Sequence, residues 1–190
     1  MAEAEEKGNK ETTPKTGKVE NKIFREKALF SVMVAVFATD QISKAIIVQN
    51  FEIPNDPREK IVVINGFLDL IHRTNDGAAF SIMKGKNSLL AVISFFAMGG
   101  LIWFRHHFDN GTRKGKIALG LLMGGVLGNL VDRVFRESVV DFVRVYIERG
   151  AGGISEWPAF NVADAAICVG VGILFCLAWG EGAEDKEENP

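Results

Sequence analysis

The chain reads as an α-helical membrane protein, with four transmembrane helices and a small extracytoplasmic β-sheet and loop region. Three observations predict this class. Apolar residues gather in four runs, 28–48, 88–104, 117–133 and 162–179, each close to the roughly 20 residues a helix needs to cross hydrocarbon. Charge gathers in the tails and loops between them. A strand–turn–strand signal, IVVI followed by Asn65-Gly66 and FLDLIHRT, interrupts the polar stretch after the first run. The formal net charge is −2 over 190 residues, and no basic cluster is interleaved with aromatics, so nucleic acid is excluded as a partner.

Residues 1–22 mix Lys, Glu, Thr and Gly without apolar periodicity, which predicts a disordered tail on the cytoplasmic side. The four-span body is then 23–180. Its first run follows Lys22, Arg25 and Lys27, as a cleavable secretory signal would. Apolar character resumes after TDQISK, however, giving about 21 residues or roughly 31 Å of helix, enough to span. Asp40 and Lys44 stand four apart in it, on one helical face, and are expected to pair as structural support.

In the polar stretch, Asn-Gly accepts positive φ at both centres of a type I′ turn, which predicts a hairpin. The hairpin hands the chain to Asn75-Asp76-Gly77-Ala78-Ala79-Phe80. There Gly77 and the alanines let backbone approach a ligand and Asn75 offers a donor and an acceptor; an ordinary turn has the same composition. The second run carries no charge and precedes RHHFDNGTRKGK, whose basic residues keep a short loop cytoplasmic. The third run has Gly120, Gly124 and Gly128 at four-residue spacing, a stripe that favours close helix contact. It ends in Asn129, Asp132 and Arg133. Trp157 and Trp179 bracket the fourth run at interface levels, and 181–190 forms an acidic cytoplasmic tail.

Four spans put both termini on one side, which the basic residues at 22–27 and 105–116 make the cytoplasm. Asp40, Asn129, Asp132, Arg133, Asp141, Asn161 and Asp164 then collect toward the outer face. Two accounts of Asp141 and Asp164 stand side by side. Close carboxyls cannot both ionise easily, so the pair would share a proton and activate water; alternatively, each pairs with Arg133, Arg136 or Arg144 for structure. Cys168 and Cys176 are too far apart along one helix for a disulfide, about 12 Å. His72, His106 and His107 show no metal-ligand spacing, and neither a metal nor another cofactor is expected.

FATDQISK, NDGAAFS, GGVLGNLVDR, VVDFV and FNVADAA occur in this order across four spans. The set resembles the lipoprotein signal peptidases, or signal peptidase II, the intramembrane aspartyl endopeptidases of bacteria, from about Phe30 to Leu177. The resemblance implies that Asp141 and Asp164 are the catalytic dyad. It implies that Asn75, Gly77, Asn129, Arg133 and Asn161 shape the site or hold substrate, and that Asp40, Lys44 and Asp132 support it. The implied substrate is a diacylglyceryl-modified prolipoprotein, cut on the N-terminal side of its lipidated cysteine. The implied setting is the bacterial inner membrane, with membrane lipid as partner, the site at the outer face and a monomeric enzyme. GAGGIS departs from the pattern between the two aspartates. No GxGD surrounds either acid, against a presenilin-type protease. A small proton-coupled transporter is the competing class, although such carboxylates sit near the midplane between related halves. A third class, an assembly protein whose charges only pair helices, predicts that neutralising 141 and 164 alters stability without touching turnover.

Overall fold

The computed structural model of the chain describes residues 16–77, 85–105, 112–149 and 153–187. Residues 1–15, Ala78 to Phe80, His106, His107 and the 150–152 part of the glycine-rich stretch lie outside the described residues. Four helices, α1 (Thr16–Asn50), α2 (Asn87–Phe104), α3 (Arg113–Phe135) and α4 (Val162–Glu187), accompany four strands, β1 (Lys60–Ile64), β2 (Leu68–Asn75), β3 (Val139–Arg149) and β4 (Gly153–Glu156). Each helix contains a stretch long and apolar enough to cross a membrane: Glu26–Asn50, Asn87–Phe104, Arg113–Phe135 and Val162–Gly180.

Helix α3 touches all three other helices, and its glycines bring α1 and α4 close. A methyl on Gly120 would lie 2.7 Å from the Leu29 carbonyl oxygen, on Gly124 2.7 Å from that of Met33, and on Gly125 2.5 Å from that of Ala163. Helices α1 and α4 therefore rest on α3 backbone to backbone, the close approach that replaces a hydrophobic driving force in lipid. Gly124→Ala is expected to push α1 away and lower stability by roughly 1–3 kcal/mol, the usual range for overpacking. Thermal unfolding in detergent reads the loss, and Gly172→Ala, which meets nothing within 4 Å, is the control.

At one end of the bundle, Leu29, Leu119 and Met123 form a small core with Met33, Met98 and Leu101 packed on it. There α3 begins at Thr112, whose side chain accepts from the Gly115 amide at 3.0 Å, a hydroxyl N-cap satisfying one orphan donor. At the other end Ile47 of α1 and Phe51 just after it pack with Val140 and Phe142 of β3, joined by Leu70, Val143 and Val162. This second core fastens the sheet to the helices.

The sheet is antiparallel in the order β1-β2-β3-β4. The expected hairpin is its first half, but not with the expected turn. The Phe67 amide donates to the Ile64 carbonyl at 3.0 Å, and of the two central residues only Gly66 has positive φ, +76°. That is the type II pattern rather than type I′. The segment VVDFVRVYIE forms β3, which with β4 supplies the other half.

Both tails are corrected in part. Helix α1 begins at Thr16, inside the stretch expected to be unstructured, and α4 continues to Glu187, inside the expected acidic tail. Nucleation is the costly step of helix formation. A helix already held in the bundle therefore extends readily through Lys-, Arg- and Glu-rich sequence.

Candidate active site

Three local devices bring the two aspartates to the same end of the bundle. Helix α3 stops at Arg136, Glu137 takes φ +59°, and the chain reverses directly into β3, so Asp141 follows within one short strand segment. Strand β3 then pairs with β2 in a register that sets Asn75 opposite Val139 and Arg73 opposite Asp141. After β4 the chain runs back along β3, with the Val143 amide donating to Phe160 at 2.8 Å and the Phe160 amide to Val143 at 3.1 Å. This return places Asn161 beside Asp141.

Asn161 and Asp164 open α4 as a reciprocal cap. The Asp164 amide donates to Asn161 Oδ1 at 2.9 Å, and the Asn161 amide donates to Asp164 Oδ2 at 3.2 Å. This is a capping box built from Asn and Asp. The Asn-x-x-Asp spacing before an apolar run was the sequence signal for it, and it was passed over.

Each carboxyl accepts hydrogen bonds on both oxygens. Asp141 Oδ2 accepts from Asn75 Nδ2 at 2.9 Å and Oδ1 from Asn161 Nδ2 at 2.8 Å. Asp164 Oδ1 accepts from Asn129 Nδ2 at 2.8 Å. Asn161 thus touches both acids, through its side chain to one and its backbone to the other. Gly77 donates its amide to Asn75 Oδ1 at 3.0 Å, and its carbonyl lies 3.5 Å from Arg133 Nη2. Neither acid forms an ion pair among the described residues. Arg136 pairs with Asp132, and Arg144 with Asp69 and Glu156. Burial, followed by the neighbouring Asp164 charge, pushes the Asp141 carboxyl up to about 7, against the downward pull of the Asn75 and Asn161 bonds.

Behind the acids lies a second polar layer. Lys44 Nζ is 2.8 Å from Asp40 Oδ2, 2.8 Å from Asp132 Oδ2 and 3.0 Å from Asn129 Oδ1, with all three charged side chains fully buried. Asp40 Oδ1 accepts from the Ala163 amide at 2.9 Å, and Asp132 Oδ2 from the Val140 amide at 3.3 Å. One layer therefore fastens α1, α3, β3 and α4, and Asn129 connects it to Asp164. Sequence reasoning missed two contributors. Gln41 donates to Asp40, to Gly128 and to Asp132 at 3.1–3.2 Å, and Asn87 donates to the Arg133 carbonyl at 2.9 Å. Gln41 lies within FATDQISK but carries no charge, and Asn87 belongs to none of the motifs.

A cavity of about 870 Å³ opens over the acids, lined by Asn75, Asn129, Arg133, Asp141 and Asp164 on its polar side and by Trp157, Phe160, Ala165 and Ile167 on its apolar side. Arg133 Nε is buried there without a hydrogen-bond partner. Asn75, Asn129, Arg133, Asp141 and Asp164 lie in the cavity wall and Asp40, Lys44 and Asp132 in the layer behind it; Asn161 bridges the two, and Gly77 lies beside the wall, bonded to Asn75 and Arg133. Among the described residues no group of His, Cys, Asp or Glu is placed to hold a metal ion.

Four membrane-length helices closed at one end by a sheet, with a buried and a half-buried carboxyl between them, define a multi-pass membrane protein with an acid–acid site. Comparison with known proteins identifies the family. The family described as signal peptidase (SPase) II matches residues 32–179, and the chain belongs to it. A lipoprotein signal peptidase of Listeria monocytogenes serotype 4a is 37% identical over 157 residues, 83% of this chain and 96% of that one. One from Halalkalibacterium halodurans is 37% identical over 161 residues, 84% and 97% respectively. A solved bacterial membrane enzyme superposes with a TM-score of 0.71 at 30% identity, over 85% of this chain and 93% of that one; a second gives 0.65 at 31%. Family membership leaves the transporter account without support.

Proposed function

We propose that the protein removes signal peptides from prolipoproteins by aspartic endopeptidase chemistry, with Asp141 and Asp164 as the catalytic pair. The observation that carries this reading is Asn161, which hydrogen-bonds both acids at the floor of a cavity large enough for peptide. The names of the relatives, lipoprotein signal peptidases, support the substrate class. With the shared proton on Asp141, Asp164 is the base. Water attacks the scissile carbonyl carbon and gives its proton to Asp164, while Asp141 protonates the carbonyl oxygen. The C–N bond then breaks, the leaving amine takes the proton from Asp164, and a hydroxyl of the gem-diol returns one to Asp141. Asn75, Asn129 and Asn161 fix the carboxyl orientations. Arg133 offers donors to substrate carbonyls, and Gly77 helps to hold Asn75 and Arg133 in place. The apolar wall admits the diacylglyceryl chains of the cysteine that follows the cut. All these residues come from one chain, which suits a monomeric enzyme.

The direct test incubates the purified protein in detergent with a diacylglyceryl prolipoprotein and looks for the released signal peptide. Its absence from a folded preparation sinks the proposal. The orientation, with both termini cytoplasmic and the sheet outside, is motivated by the basic residues flanking the first span and joining the second to the third. A membrane-impermeant thiol probe on intact cells is expected to label a cysteine at Asn65 and not one at Lys114, in a background with Cys168 and Cys176 replaced by alanine. The opposite labelling reverses the topology.

A further inference from the structure

Two charged residues of the cavity rim have no part in the chemistry above. Arg73 stands opposite Asp141 in the β2–β3 register, within the 4.5–5.5 Å or so that separates facing residues of an antiparallel pair. Its guanidinium lies 3.6 Å from Glu156 Oε1, both side chains are partly exposed, and both line the cavity. Among the described residues Glu156 is its one ion-pair partner. Glu156 is held far more firmly. Its Oε2 accepts from Arg144 Nε at 2.8 Å, and Arg144 lies 4.6 Å over the Tyr146 ring and 3.4 Å from fully buried Asp69. The result is a charge ladder, Asp69–Arg144–Glu156–Arg73, rigid at its buried end and open at the cavity. The last rung is a cation with five N–H donors and one distant partner.

Resting on the proposed function, we propose that Arg73 and Glu156 are specificity-determining residues that read charge in the first residues after the lipidated cysteine and favour acidic ones. The direction follows from polarity. The signal-peptide side of the scissile bond is apolar and belongs in hydrocarbon, so it cannot lie against an ion ladder without stripping those charges of solvent. The mature side is the polar one, and it leaves past the sheet. An acidic side chain there completes Arg73 with a second carboxylate in bidentate geometry. A basic one meets Arg73 directly and can be relieved only by Glu156, which Arg144 already engages.

The experiment measures kcat/KM on diacylglyceryl peptides that differ only in carrying Asp, Asn or Lys at the second and third positions after the cut. Ratios are taken within each enzyme, so losses of folded or intrinsic activity cancel. Wild type is expected to prefer the Asp over the Lys peptide by roughly fivefold, the weight of a partly exposed ion pair, mainly through KM. Arg73→Gln should bring the ratio near one, and Arg73→Glu should invert it. An equal ratio in wild type, or an unchanged acidic preference in both variants, overturns the proposal. Failure of wild type to cleave any of the three peptides instead overturns the peptidase reading beneath it.

Discussion

Asp141→Asn and Asp164→Asn are each expected to abolish signal-peptide release while leaving folded protein. An amide can neither accept the proton of the attacking water nor return it to the leaving amine. The double variant should be no worse than either single one, as for groups acting as a unit. Stability separates this from a structural role. Asp141 has its carboxyl raised from 3.8 to about 7, so between those values the folded chain holds a proton that the unfolded chain releases. Stability from this group is therefore intact below pH 3.8, declines as pH rises toward 7 and stays reduced above it. The penalty in wild type at pH 8 is on the order of 4 kcal/mol at 1.36 kcal/mol per unit. Asn at 141 removes that penalty and sacrifices one acceptor facing Asn75 or Asn161, about 1–2 kcal/mol. The Tm of Asp141→Asn at pH 8 is thus expected to be no lower than that of wild type. Wild-type activity should fall as pH rises through about 7, and again in acid when the pair takes up its second proton, both constants belonging to the dyad. Substantial turnover in either single variant at saturating substrate removes the dyad. A steep loss of Tm in Asp141→Asn would restore the purely structural account.

Lys44→Met is expected to be the most destabilising single change in the bundle. It strands Asp40 and Asp132, both fully buried, and breaking a buried ion pair from one side costs about 3–5 kcal/mol. Asp40→Asn should cost less, because Lys44 keeps Asp132 and Asn129. Adding Asp40→Asn to Lys44→Met should recover part of the loss, since only Asp132 is then left and Arg136 still reaches it; contacting groups are non-additive in this way. Thermal unfolding in detergent decides. Wild-type Tm in Lys44→Met would show that the buried layer carries no weight. Turnover should fall with Lys44 as well, because Asn129 loses the cation that orients it toward Asp164.

Features governed by local spacing were legible in the sequence. Apolar runs marked the spans, four-residue spacing marked both the Asp40–Lys44 pair and the glycine stripe, and Asn65-Gly66 marked a turn. The members of the candidate site were picked out by their motifs, yet the contacts joining them were not readable. Asn75 and Asp141 are 66 residues apart, and nothing in VVDFVRVYIE says that β2 is its partner, since its alternation serves any half-buried strand. Lys44 was read as the partner of Asp40 alone because Asp132 reaches it only after α1 and α3 have packed. Arg73 and Glu156 belong to none of the motifs, and only the sheet sets them at the cavity.

The placement of the two acids also sets when the protein becomes competent during its own synthesis. Asp141 lies on a strand that follows the third helix, and Asp164 forms part of the first turn of the fourth. Chains emerge from the ribosome and fold from the N-terminus onward. Every earlier span can therefore be in lipid while one acid is still missing. Asn161, which orients both carboxyls, takes up its position only when that last turn winds. On the proposed chemistry, a half-made chain surrounded by newly inserted apolar segments thus has no means of cutting them, and no separate inhibitory segment is required to protect them.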